Sequence, residues 1–126
     1  VPRTHKELAM GKLTTHVLDT AHGRPGAGIK VELFALDGDT RRALKTVVTN
    51  HDGRCDAPLL QDDAFVAGEY ELVFHAGDYF AASGVKVPEP RFVDRVVLRF
   101  GIADAGSHYH VPLLVSPWAY STYRGS

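Results

Sequence analysis

Ser107-His108-Tyr109-His110-Val111-Pro112-Leu113-Leu114-Val115 has the alternation of a strand, with Tyr109, Val111 and Leu113 on one face and His108 and His110 on the other. Leu13-Thr14-Thr15-His16-Val17-Leu18-Asp19, near the other end of the chain, has the same form, and there Thr14 and Leu18 share the face of His16. Two strands that each turn an imidazole outward from an apolar face predict a sheet carrying chemistry on one surface. Imidazole is the side chain whose ordinary pKa lies nearest neutrality, so two or three together can position water, move a proton or hold a metal.

Between these strands the chain is a series of short alternating segments punctuated by turn residues, which predicts an antiparallel sandwich rather than βαβ units. Lys12 to Asp19 runs into the turn-rich His22-Gly23-Arg24-Pro25-Gly26-Ala27-Gly28, and Ile29 to Leu36 follows as a strand. Asp37-Gly38-Asp39 breaks the chain before a strand over Arg42 to Thr49. Asn50-His51-Asp52-Gly53 then supplies an Asp-Gly reversal with Arg54 directly after it. Asp56 to Ala67 reads as loop with a short edge strand, and Glu69 to His75 alternates with Tyr70, Leu72 and Phe74 on one face. Asp78 to Ser83, bounded by Gly77 and Gly84, predicts one short helix. Strands over Phe92 to Phe100, Ser107 to Val115 and Trp118 to Arg124 complete the chain. About eight strands with one helix must bury their apolar faces as two layers, so the fold class is all-β, a two-sheet sandwich. Two consecutive strands at the end leave an edge to cover, and the aromatics Trp118, Tyr120 and Tyr123 make that edge a candidate interface between copies.

The 126 residues suit one domain. A formal net charge of −1 without blocks of either sign gives no footprint for nucleic acid or a membrane surface. The lone cysteine, Cys55, cannot form an internal disulfide, and no apolar run is long enough to span a bilayer. Residues 1–9 are polar and aperiodic and begin with Val-Pro-Arg, which resembles the remnant of a protease cleavage site added for expression. Met10 is then the expected native start, residues 10–126 form the domain, and the cytoplasm is the expected compartment.

Of seven histidines, His5 falls in the expected leader, while His22, His51 and His75 sit in turns or at strand ends and are expected to be solvated. His16, His108 and His110 remain. One reading is a zinc centre, since His-x-His on a strand face with a third imidazole is a ligand set for that ion. A second is metal-free hydrolysis, in which a neutral imidazole takes a proton from water and Arg54 fixes an anionic substrate. A third is a carrier without chemistry, its strands lining a channel between subunits. Cys55 beside its turn reads as inert packing, and no Gly-x-Ser-x-Gly elbow, phosphate loop or dinucleotide fingerprint is present.

Leu13 to Thr20, the Gly-Arg-Pro-Gly turn at Gly23 to Gly26, the Asp52-Gly53-Arg54 step, His108 to Pro117 and the closing Tyr123-Arg124-Gly125-Ser126 together resemble the 5-hydroxyisourate hydrolases, the transthyretin-related enzymes of urate degradation. The resemblance extends from Met10 to the end. It implies a transthyretin-like sandwich of two four-stranded sheets with one short helix. It implies a homotetramer whose active clefts form where dimers meet, and hydrolysis of 5-hydroxyisourate to 2-oxo-4-hydroxy-4-carboxy-5-ureidoimidazoline without cofactor or metal. Carried over residue by residue, it makes His16, Arg54 and His110 catalytic, and gives Tyr123, Ser126 and His108 to substrate binding. Transthyretins, the hormone-carrying relatives, lack the histidine pair, the arginine and the Tyr-Arg-Gly-Ser ending, so the resemblance disfavours the carrier reading.

Overall fold

Alternation in Lys12–Asp19 (β1) buries Leu13, Thr15, Val17 and Asp19 and leaves Thr14, His16 and Leu18 half-covered on the opposite face. His108–Val115 (β8) does the same with Tyr109, Val111, Leu113 and Val115 buried. The computed structural model describes residues 11–125, so the expectations for residues 1–9, for Met10 and for Ser126 lie outside the described residues. Among the described residues nine strands form two sheets. The first contains β1, Arg24–Pro25 (β2), Leu60–Gln61 (β5), β8 and Tyr120–Thr122 (β9), in the order β2-β1-β8-β9 with β5 also on β1. The second orders Thr40–Val48 (β4), Lys30–Asp37 (β3), Gly68–His75 (β6) and Arg95–Ile102 (β7) as β4-β3-β6-β7.

The inner faces meet in one core, in which Leu13, Val17 and Leu113 of the first sheet pack with Val31, Leu33, Leu72 and Phe74 of the second. Burying each such side chain stabilises the fold by about 1.5–3 kcal/mol relative to exposure. The two-layer all-β sandwich with one helix is as the sequence predicts. Its pairing is not wholly antiparallel, because β1 and β8 lie side by side in parallel, Lys12 opposite His108 through to Asp19 opposite Val115. Strands this far apart in sequence need no hairpin, and the chain between them is consumed by the other sheet. The first sheet also has five members, since the edge of β1 is shared by two dipeptide strands: β5 at Lys12 and Leu13, β2 at Leu18 and Asp19.

The helix spans Ala76–Ala82 (α1), two residues earlier than its glycine boundaries suggest. Ala76 and Gly77 are buried, the Gly77 amide donates to the Asp94 carbonyl at 2.9 Å, and a Cβ at Gly77 would collide with Asp94 and Arg91. That contact also explains why β7 begins at Arg95 rather than Phe92 and extends to Ile102. Residues 91–94 are engaged in docking the helix, where Arg91 bonds Asp78 at 2.6 Å and also meets Glu89 and Asp94. Among the described residues no helix is long and apolar enough to cross a membrane.

Pro112 lies within β8 although proline cannot donate to a ladder. The strand tolerates it because the ladder on that side is already interrupted. β9 pairs with β8 from Leu113 to Val115, the chain leaves at Tyr123 and Arg124, and it returns at Gly125 to bridge His110. Trp118 to Arg124 is therefore a three-residue strand with a detached tail rather than one continuous strand.

Candidate active site

The short flanking strands leave a gap in the middle of the β1 edge, and the loop after β4 fills it. Asn50 shapes this loop: its side-chain oxygen accepts from the Asp52 and Arg54 amides at 2.9 and 3.1 Å. Gly53 has φ +75°, and its carbonyl accepts from the Val17 amide at 2.8 Å. A Cβ on Gly53 would run into the Val17 carbonyl, so only glycine lets the loop approach this closely. The result is a bridge between His16 and Arg54. On the other side of β1, the parallel register puts Thr14 level with His110.

Thr14, Arg54, Cys55, Asp56, His108 and His110 line a cleft of about 400 Å³. The His16 and His110 rings are 6.4 Å apart between centroids, and those of His108 and His110 are 6.3 Å apart. The tail closes behind them. Gly125 donates to the His110 carbonyl at 2.7 Å, and a Cβ there would crowd the His110 ring at 3.0 Å. Arg124 lies over the Tyr109 ring at 4.1 Å and donates to the His108 carbonyl at 3.3 Å.

Burial lowers the pKa of all three imidazoles below the ordinary value. The Arg54 charge lowers His16 and His110 further, and neighbouring imidazoles add to the effect at His110. At His108 the added positive charges are Lys12 and Arg124. A hydrogen bond to the Asp52 backbone pulls His16 the other way without reversing the shift. Neutral imidazoles beside a guanidinium can accept a proton from water and hold an anion in the same space. Arg54 is free for that anion: among the described residues it forms no ion pair. Cys55 faces the cleft with its thiol pushed up, first by burial and then by Asp56, so it is a poor nucleophile.

The structure thus brings His16, Arg54, His108 and His110 together. Tyr123 is exposed and lines a separate groove with Val97, Phe100 and Tyr109. Sequence reasoning passed over Thr14, whose hydroxyl lies 2.8 Å from both His108 Nε2 and His110 Nδ1. Alternation already set Thr14 on the face of His16; only the parallel register reveals its partners. His51 is exposed as expected, but His22 and His75 are not simply solvated. His22 Nδ1 lies 2.6 Å from the buried Asp19 carboxylate, and His75 Nε2 lies 2.7 Å from Glu32. Each belongs to a strand-end carboxylate network rather than to the cleft.

Among the described residues no three His, Cys, Asp or Glu side chains are grouped as ligands of one ion.

Residues 13–125 match the description of the HIUase/Transthyretin family. The chain is 64% identical to a 5-hydroxyisourate hydrolase of Pseudomonas aeruginosa over 117 residues, 93% of each chain. Among solved structures it resembles an (S)-allantoin synthase with a TM-score of 0.90 and 44% identity; the match covers 96% of this chain but only 46% of that longer one. It resembles Klebsiella pneumoniae 5-hydroxyisourate hydrolase with a TM-score of 0.77 and 34% identity, over 93% of this chain and 100% of that one.

Proposed function

The chain belongs to the HIUase/Transthyretin family, and from that membership we propose that it hydrolyses 5-hydroxyisourate to 2-oxo-4-hydroxy-4-carboxy-5-ureidoimidazoline in urate degradation. The observation that carries this reading is the position of His16, bridged to Arg54 and with its ring 6.4 Å from that of His110, beside the cleft that Arg54 and His110 line, with both imidazoles biased toward neutrality. The product has a carboxyl and a ureido group, so the bond that breaks is a ring amide C–N bond. Water supplies the hydroxyl. Hydrogen bonds of about 2.8 Å from each ring can hold one water between His16 and His110. One imidazole removes its proton as the oxygen attacks the ring carbonyl, and the same proton then goes to the departing nitrogen. Arg54 pairs with the substrate's delocalised negative charge and with the oxyanion formed on attack.

His108 borders the substrate in this scheme. Tyr123, which lies outside the cleft in the single chain, and Ser126 belong to substrate binding in the same proposal, in a homotetramer having its sites at dimer-dimer contacts. Exposed Trp118 and Tyr120 on and beside the β9 edge favour that assembly. Residence in the cytoplasm belongs to the same proposal and is checked by cell fractionation.

The test generates 5-hydroxyisourate in place from urate with excess urate oxidase and follows loss of its absorbance. Acceleration by the protein that persists with a chelator is the expected result. Acceleration abolished by chelation would make His16, His108 and His110 ligands, and no acceleration by folded protein would return the chain to the binding-protein class.

A further inference from the structure

A threonine hydroxyl has one proton to donate and can accept two. Thr14 Oγ1 lies 2.8 Å from two ring nitrogens at once, Nε2 of His108 and Nδ1 of His110. It cannot donate to both. If it donates to His108, then His110 holds its proton on Nδ1 and presents a bare Nε2. If it donates to His110, that ring carries its proton on Nε2. The hydroxyl therefore couples the tautomers of the two rings.

The charges around the three groups give this coupling a direction. His110 is opposed, once protonated, by burial, by Arg54, by His16 and by His108. A proton on His108 is opposed by burial first and then by Lys12 from β1 and Arg124 from the tail, but Arg54 is not among the charges that shift it. Asp56 and Cys55 are the other ionisable groups on the cleft wall. A proton left on His110 would place a second positive charge beside Arg54, where the substrate anion has to bind. A proton passed to His108 would not.

We infer that Thr14 is a positioning residue that relays protons between His110 and His108, so that His110 acts as base without itself remaining charged. The inference rests on the hydrolase reading above and deepens it. At the start the protons are on His110 Nδ1, Thr14 Oγ1 and His108 Nδ1. His110 Nε2 takes a proton from water; its Nδ1 proton passes to Thr14 Oγ1, and the threonine's own proton passes to His108 Nε2. His110 and Thr14 end neutral, His108 ends as imidazolium, and one proton has entered. Reversal returns that proton through His110 Nε2 to the departing ring nitrogen. His16, which lies opposite Arg54 rather than on the Thr14 hydroxyl, has no such outlet and orients the water.

The experiment compares wild type, Thr14→Val and Thr14→Ser in the absorbance assay across pH, with thermal unfolding as a check on folding. Valine keeps the shape and removes the hydroxyl; serine keeps the hydroxyl. General acid–base effects run from about 10² to 10⁴-fold, and Thr14→Val keeps both imidazoles, so kcat should fall by about 100-fold, the low end of that range, with KM largely unchanged. The acid limb should move, and Thr14→Ser should recover most of kcat and the wild-type limb. Equal kcat and equal limbs for wild type and Thr14→Val would overturn the relay while leaving the hydrolase reading intact. Absence of turnover by wild type would instead remove the reading on which it rests. Nitrogen NMR of ring-labelled wild type needs no variant. The relay requires one protonated and one bare nitrogen among His110 Nδ1 and His108 Nε2, and finding both protonated at neutral pH would overturn it.

Discussion

Arg54 is held opposite His16 by its backbone and lines the cleft, and among the described residues it forms no ion pair. Arg54→Glu replaces an attraction for an anionic substrate by a repulsion, and kcat/KM should fall by about 100-fold or more, mainly through KM. Michaelis kinetics on the folded variant check this, and unchanged values would remove Arg54 from the site. The imidazoles make a second prediction. A base must be neutral, and burial followed by the Arg54 charge lowers the pKa of both His16 and His110. Their neutral forms persist to lower pH than a free imidazole would allow, so kcat/KM should fall through an acid limb centred below about 6.5. A limb at or above that value would contradict the site's electrostatics. His16, His108 and His110 were legible because strand periodicity puts each on a polar face. Arg54 was legible as an anion-binding candidate from its place after the Asp52-Gly53 turn and was strengthened by the family resemblance, but its placement depends on a loop entering a gap that no local pattern records.

Elements meet at two points that hold this geometry. Gly53 adopts positive φ and presses against the Val17 backbone. Gly53→Ala adds about 1–2 kcal/mol of backbone strain together with a steric clash, which should displace Arg54. Activity should drop more than the lowered melting temperature accounts for, and kinetics measured well below that temperature separate the two losses. The second point is Asp19, where the end of β1 meets the turn and the helix. Its carboxylate accepts from Tyr79 at 2.7 Å and from the amides of Ala21 and His22 at 3.0 Å, with His22 Nδ1 at 2.6 Å. Burial raises its pKa, but hydrogen bonds from Tyr79 and His22 outweigh burial, so the folded value lies below the ordinary one. The stability it contributes is present above the unfolded value of about 3.9 and is lost as pH falls through the folded value. Tyr79→Phe removes a donor, so its acid unfolding should begin at higher pH, which circular dichroism against pH would reveal. Strands were legible from alternation, with β1 placed at both ends and the ends of the others off by at most three residues. The helix was read two residues late because its first turn is set by Asp94 and Arg91 rather than by its own glycines.

At the scale of the whole molecule, the sandwich class followed from counting apolar faces that needed a partner, whereas the parallel contact of β1 with β8 had no local signature. The outer edges of β9 and β7 are unpaired in the single chain, and Phe92, Val97, Trp118, Tyr120 and Tyr123 are exposed near them. The proposed tetramer predicts that replacing Trp118 and Tyr120 together by arginine reduces the mass measured by light scattering and reduces turnover with it. A variant that stays tetrameric would move the interface elsewhere. The parallel register has a consequence for the order of events during synthesis. Thr14 and His110 are 96 residues apart, and β1 cannot acquire its central neighbour until the chain through β8 has left the ribosome. Closing so long a loop adds little to the equilibrium cost but slows folding. The second sheet can assemble from its hairpins before β8 is made; the surface that brings His16, His108 and His110 together forms only afterwards, and any polypeptide released before β8 lacks it altogether.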